Sequence, residues 1–389
     1  MRHSTILSLF STLVTLTHAQ TTESLVVTAA QIAQSIKLSL PNPSLALVPQ
    51  PYYWWQSGIV NNALFTYGFV TGDRQFEDLA KNTLYNQATG ANDFMMPEAT
   101  GNDDQAWWAL SALTAAENNV AVPAGSPTFL SMAQNVFNEQ KARWDESSCG
   151  GGMRFKINAG DAGYEYKSSI ANGLFFQLAA RLAKLTGDAD ARAWAEKSYD
   201  WITATGLVDA EYNVYDGTDA AGACVDLNRN QWSYNAGVFL YGAAVMASQT
   251  GDAKWVDRSS GLLAAAQRTF VRDGALYEPT CEDQGNCNND QVSFKGILAR
   301  WLGATAVELP ALKDSIAGTV GDVSGRVQKS WAPSLGPMEQ FVALESVDAA
   351  VRANGGVAAA YGMISPRGSM DGVERRVRRS VAGRILWDA

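Results

Sequence analysis

The tripeptide Thr-Gly-Asp occurs at Thr71-Gly72-Asp73, Thr186-Gly187-Asp188 and Thr250-Gly251-Asp252. Each copy closes an apolar segment that opens on a glycine fourteen positions before its own: Gly58 to Gly72, Gly173 to Gly187, Gly237 to Gly251. Recurrence at one spacing marks a repeated supersecondary unit, which buries its apolar face only when neighbours stack on it. Within the segments, Leu64, Phe65 and Phe69, then Leu174, Phe175, Leu178 and Leu182, then Val238, Phe239, Tyr241 and Val245 recur at three- and four-residue steps. That pattern predicts helices buried on more than one side. The tripeptide's glycine ends each helix as a C-terminal cap, and a more polar amphipathic helix follows, as over 76–85 and 191–203.

Further units keep the rhythm without the tripeptide. Residues 104–118 read as an inner helix with 127–144 as its outer mate, and 291–307 and 339–354 read as two more. Inner helices then start near 56, 103, 168, 233, 291 and 338. The expected fold is all-α, a closed (α/α)6 toroid of six helical hairpins around a funnel, formed by one domain over 20–352. Strand signals are confined to short ribbons over 151–157 and 214–215.

In such a ring every inner helix runs the same way, so free N–H groups and positive dipole ends collect on one face. The residues predicted there are polar and aromatic. Asp103 and Asp104 stand side by side in Asn102-Asp103-Asp104-Gln105. Adjacent carboxylates repel, and where both are shielded from water one holds its proton above the normal range. An acid and a base of one residue type is what glycosidases use. A plain helix cap is the alternative, and on an inner helix the two readings coexist, with the dipole expected to keep Asp103 ionised. Trp55, Gln56, Asn102, Tyr166, Lys167, Trp232, Tyr234, Asp290 and Gln291 are candidates for holding sugar. Core packing of the tryptophans, and pairing of Lys167 with Glu165 or Asp161, are the structural alternatives.

Composition narrows the partners. A net charge of −9 argues against nucleic acid, and 12 Trp, 13 Tyr and 14 Phe suit stacking on pyranose faces. His3 and His18 are the two histidines, both within residues 1–19, which read as a secretory signal peptide. A Ser–His or Cys–His nucleophile system is thereby excluded from the mature chain. In an oxidising compartment Cys149, Cys224, Cys281 and Cys287 favour disulfides over zinc; of three possible pairings, Cys281–Cys287 and Cys149–Cys224 are preferred. No metal or other cofactor and no transmembrane segment are expected. Residues 353–389 read as a flexible tail whose apolar end is interrupted by Arg384, so no lipid-anchor signal is expected. A secreted monomer of the cell wall or cell surface is the expectation.

Five ordered motifs carry a resemblance. They are Gly101-Asn102-Asp103-Asp104-Gln105-Ala106-Trp107-Trp108; Cys149-Gly150-Gly151-Gly152-Met153-Arg154-Phe155; Tyr164-Glu165-Tyr166-Lys167-Ser168-Ser169-Ile170-Ala171-Asn172-Gly173; Gln231-Trp232-Ser233-Tyr234-Asn235-Ala236-Gly237; and Cys281-Glu282 through Asp290-Gln291-Val292-Ser293-Phe294-Lys295-Gly296. From about Leu25 to about Arg352 the chain resembles glycoside hydrolase family 76, the endo-α-1,6-mannanases, and within it the fungal cell-wall members. The resemblance implies an (α/α)6 barrel that cleaves α-1,6-mannan with retention and without metal, Asp103 being the nucleophile and Asp104 the general acid/base. It also implies an alternative, a transglycosidase that moves mannose-containing glycoprotein anchors onto wall polysaccharide. An inactive mannan-binding protein is a further alternative. A uronic-acid enzyme on the same toroid needs cations for its substrate, for which Arg154 and Lys167 are the candidates.

Overall fold

The computed structural model describes residues 21–356. The expected signal peptide and nearly all of the expected tail lie outside the described residues. Twelve α-helices follow in order: α1 Thr22–Ser39, α2 Trp54–Thr71, α3 Glu77–Gln87, α4 Asn102–Glu117, α5 Phe129–Ala142, α6 Ser169–Thr186, α7 Ala189–Ala204, α8 Ser233–Thr250, α9 Ala253–Phe270, α10 Gln291–Glu308, α11 Lys313–Ser330 and α12 Pro337–Ala353. Ala353, expected to open the tail, is the last residue of α12 and is buried.

The three Thr-Gly-Asp turns share one geometry. Gly72, Gly187 and Gly251 are left-handed, with φ of 78°, 75° and 67°. Their N–H groups donate to Gly68, Ala183 and Ala247, which closes α2, α6 and α8. A side chain at such φ is strained, which is why glycine recurs there. Each threonine hydroxyl donates to the carbonyl four residues back at 2.6–2.7 Å, and accepts the following aspartate's N–H at 3.2 Å. Asp188 and Asp252 then cap α7 and α9.

The even-numbered helices form the inner ring: α2 packs on α4, α4 on α6, α6 on α8, α8 on α10, α10 on α12, and α12 back on α2. Outer mates follow in sequence from α3 to α11. The sixth outer helix is α1, which packs on α12 and so closes the ring from the other end of the chain. Glycines let inner helices approach: a methyl carbon on Gly173 would lie 2.4 Å from Val238 Cγ1, and one on Gly237 2.9 Å from Trp301. Aromatic rings fill the space between the layers. Phe176 lies between Phe239 and Trp255, with centroids 5.8 and 5.9 Å away. Burial of each such ring contributes about 1.5–3 kcal/mol.

The expected ribbons reduce to single bridges, Gly101 with Lys156 and Val208 with Val214. Gly150, Gly151 and Gly152, all at positive φ, bend the first segment away from a longer pairing. A three-stranded antiparallel sheet forms instead from β1 Tyr166–Ser168, β2 Gly217–Asp219 and β3 Leu227–Asn228, beside a two-stranded ribbon of β4 Val271–Arg272 and β5 Ala275–Leu276. Disulfides join Cys149 to Cys224 and Cys281 to Cys287.

Candidate active site

The starts of α2, α4, α8 and α10 open into one cleft of about 720 Å³, lined among others by Trp55, Asp103, Asp104, Trp107, Tyr234 and Asp290. A second cleft, of about 530 Å³, lies at the opposite mouth, where the helices end. Its Glu117 is held by Arg181 at 2.6 Å and its Glu308 by Lys184, so each lining glutamate has a cationic partner. Trp107 stacks between Trp55 and Trp301, with centroids 5.5 and 5.7 Å away, and this column of indoles fills the axis between the two clefts.

Helix α4 begins under close control. Asp104 Oδ2 accepts the Gly101 N–H at 2.7 Å, the reach back from the third helical residue that satisfies an otherwise free donor. It also accepts from the Thr100 hydroxyl at 3.3 Å. Gln140 Nε2 donates to the Asn102 carbonyl from α5. Asp103 receives less: its Oδ1 is buried without a hydrogen-bond partner among the described residues.

Burial and the neighbouring Asp104 raise the Asp103 carboxyl well above the usual range, opposed by Lys156 and by the first-turn N–H groups. Burial also raises Asp104, opposed by the Gly101 N–H, Lys156 and Thr100. The helix terminus serves both carboxyls: the Gly101 N–H falls on Asp104, while the N–H groups of Asp103 and Asp104 favour the charged form of Asp103. The two carboxyls meet over Gly101: a methyl carbon there would lie 2.3 Å from Asp103 Oδ1 and 3.1 Å from Asp104 Oδ2. Those oxygens are therefore no farther apart than the two distances laid end to end. That upper limit on two facing oxygens is compatible with the ~5–5.5 Å carboxyl separation of retaining glycosidases.

Across the cleft, Trp55 donates its indole N–H to Asp290 Oδ1 at 3.0 Å. Burial raises Asp290, and that bond and Lys156 oppose it. Tyr234 stacks on Phe294 at 3.8 Å and 8°.

Five of the eleven catalytic and sugar-contact candidates, Trp55, Asp103, Asp104, Tyr234 and Asp290, line the cleft, and the other six face elsewhere. Gln56 is fully buried, accepting the Tyr53 N–H at 2.9 Å and donating to the Asn289 carbonyl at 2.7 Å. Gln291 likewise accepts the Asn288 N–H at 2.9 Å, so both cap helix starts. Asn102 donates to the Arg154 carbonyl, and the Tyr166 hydroxyl to Asp216 at 2.6 Å. Trp232 is buried edge-on against Phe294.

Lys167 departs furthest from expectation. Its side chain is 0% exposed and pairs with Asp145 at 3.1 Å, not with Glu165 or Asp161. Its ammonium also donates to the carbonyls of Asp145, Ser148 and Gly151, so it holds the triple-glycine loop. β1 turns it away from the cleft.

Sequence reasoning overlooked Phe155 and Lys156, which also line the cleft. Phe155 ends the Cys149–Phe155 motif, but nothing local shows that Lys156 reaches α4.

Residues 23–331 match the profile of Glycosyl hydrolase family 76. The chain belongs to this family. Among relatives of this family 76 chain is the mannan endo-1,6-alpha-mannosidase DCW1 of Saccharomyces cerevisiae, 39% identical over 279 residues, which are 70% of this chain and 62% of that protein. The Candida albicans protein of the same name is 39% identical over 294 residues, 71% of this chain and 65% of that protein. The family 76 match thus spans less than two thirds of these relatives' length. A crystal structure of Dfg5 from Chaetomium thermophilum, in complex with glucosamine, is 30% identical, with a TM-score of 0.82 over 93% of this chain and 100% of that one. An inactive variant of the α-1,6-mannanase GH76A of Salegentibacter sp. HEL1_6, with two consecutive aspartates replaced, superposes with a TM-score of 0.72 at 18% identity over 85% of this chain and 99% of that one. At that identity the likeness is one of fold.

Proposed function

We propose that this protein is a retaining, endo-acting glycosidase of α-1,6-linked mannan in fungal cell-wall metabolism. The observation that supports the reading is the carboxyl pair that converges over Gly101 in an aromatic cleft. The substrate follows from the names of the fungal relatives.

Charged Asp103 attacks the anomeric carbon as the bond to the glycosidic oxygen breaks, and Asp104 gives its proton to that oxygen. A glycosyl ester on Asp103 results. Asp104, now a carboxylate, takes a proton from an incoming water, whose oxygen displaces Asp103 and restores the pair. Burial raises both carboxyls, which favours the one proton that Asp104 holds for the glycosidic oxygen. Trp55 and Tyr234 offer ring faces to mannose units. Secretion to the cell wall or surface, as a monomer, completes the proposal.

Incubation with linear α-1,6-mannotetraose, followed by proton NMR of the anomeric region, tests the reading. The first-formed reducing end is expected as the α anomer, and Asp103→Asn and Asp104→Asn each abolish turnover while the fold is kept. A β first product, or full activity in either variant, overturns it.

A further inference from the structure

Lys156 takes no part in the double displacement described above, yet the fold fastens it to the start of α4. The Asn102 N–H donates to the Phe155 carbonyl at 2.9 Å, and the Ile157 N–H to the Thr100 carbonyl at 3.0 Å. These bonds flank the bridge that sets Lys156 opposite Gly101. From there its ammonium donates to Thr100 Oγ1 at 2.8 Å, and Thr100 Oγ1 lies 3.3 Å from Asp104 Oδ2. An ammonium has no acceptor, so Thr100 accepts from Lys156 and its own proton is directed to Asp104. The chain of donors runs one way.

Lys156 also differs from its cationic neighbours. Arg154 pairs with Asp145 at 2.9 Å and Glu165 at 2.7 Å, and Arg143 with Glu139 at 3.4 Å. Among the described residues no carboxylate lies within 4 Å of the Lys156 ammonium, so its charge is left to act on the cleft. The groups that face it there are Asp103 and Asp104 on α4, Asp290 before α10, Glu98 ahead of Thr100 and Tyr234 on α8. A smaller pocket on its other side brings Arg143, Asp145, Arg154 and Tyr164.

We propose that Lys156 is a positioning residue that acts through Thr100 to set the protonation of the Asp103–Asp104 pair. The inference rests on the glycosidase reading. In that reaction Asp104 becomes a carboxylate as it gives up its proton, and the Lys156–Thr100 chain stabilises that charge as it forms. Lys156 lowers Asp103, Asp104 and Asp290 alike, against the burial that raises them. Both proton equilibria of the pair therefore sit lower than burial alone would set them.

The test is the pH profile of kcat/KM on α-1,6-mannotetraose for wild type, Lys156→Met, Lys156→Arg and Thr100→Val, read beside a carbon-13 NMR titration of aspartate carboxyls, with the pair identified by Asp104→Asn. Loss of the cation raises both equilibria. Lys156→Met is expected to move both limbs of the bell, and the pair's titration, upward by about one pH unit. Lys156→Arg keeps wild-type limbs, and Thr100→Val moves the basic limb upward. A structural role alone would lower the plateau and leave the limbs in place. Unmoved limbs, or an unmoved pair titration, in Lys156→Met overturn the proposal. A wild type that leaves the oligosaccharide uncut while the Lys156→Met titration shifts ends the glycosidase reading and upholds the effect of Lys156 on the pair.

Discussion

The Trp55 indole N–H meets the Asp290 carboxylate at 3.0 Å across 235 residues of sequence, joining the starts of α2 and α10 on the rim of the cleft. Trp55→Phe keeps a ring against Trp107 and deletes the donor, leaving a partly buried carboxylate short of its partner. The expected cost is about 1–3 kcal/mol of folding free energy, read from urea unfolding. A wild-type midpoint in the variant would show that the bond contributes nothing.

Gly101→Ala tests the convergence of the proposed catalytic pair. Its new methyl carbon would stand 2.3 Å from Asp103 Oδ1, so that carboxyl must turn. Displacement by about 1 Å in an active site lowers rate on the order of a hundredfold. Turnover of α-1,6-mannotetraose by Gly101→Ala is therefore expected to fall by about that factor, with the circular dichroism spectrum unchanged.

Lys167→Met separates stability from substrate contact. The variant removes the ammonium that the Gly150–Gly152 loop wraps and leaves Asp145, 15% exposed, with Arg154 as its remaining cation. Leaving the loop carbonyls without their donor costs about 1–3 kcal/mol. Thermal unfolding is expected to show that loss, while KM of the folded enzyme stays at its wild-type value. A raised KM with unchanged stability would return Lys167 to the substrate.

Glu278 gives the protein a pH-dependent stability. Burial pushes its carboxyl up to about 8, against the two donors of Ser233, the backbone N–H at 3.1 Å and the hydroxyl. The folded state keeps this proton where the unfolded state, with an ordinary value near 4.5, has released it. Stability contributed below the unfolded value is accordingly lost as pH rises toward about 8, at a slope of about 1.4 kcal/mol per pH unit. Urea unfolding across this range is expected to show the decline in wild type and its absence in Glu278→Gln. An equal decline in both would assign it to other groups.

The ring was legible because its determinants are local. Thr71-Gly72-Asp73 and its two copies specify a left-handed glycine and a threonine that bonds back one turn, and both devices act within six residues. Inner starts expected near 56, 103, 168, 233, 291 and 338 fall at Trp54, Asn102, Ser169, Ser233, Gln291 and Pro337. The sugar-contact candidates were less legible for a physical reason. Residues at a helix start point either into the funnel or back along the backbone, and Gln56 and Gln291 use their amides on free N–H groups nearby.

What the sequence determined by itself was therefore the repeat, the helix boundaries and the adjacency of Asp103 and Asp104, each written in contiguous residues. Only the tertiary structure decided that α1 completes the hairpin of α12, that Lys167 is sealed beneath a loop and that Lys156 stands over the pair. These depend on closing the ring. Closure brings together residues far apart in sequence, and no local pattern encodes which side chain will then face the cleft.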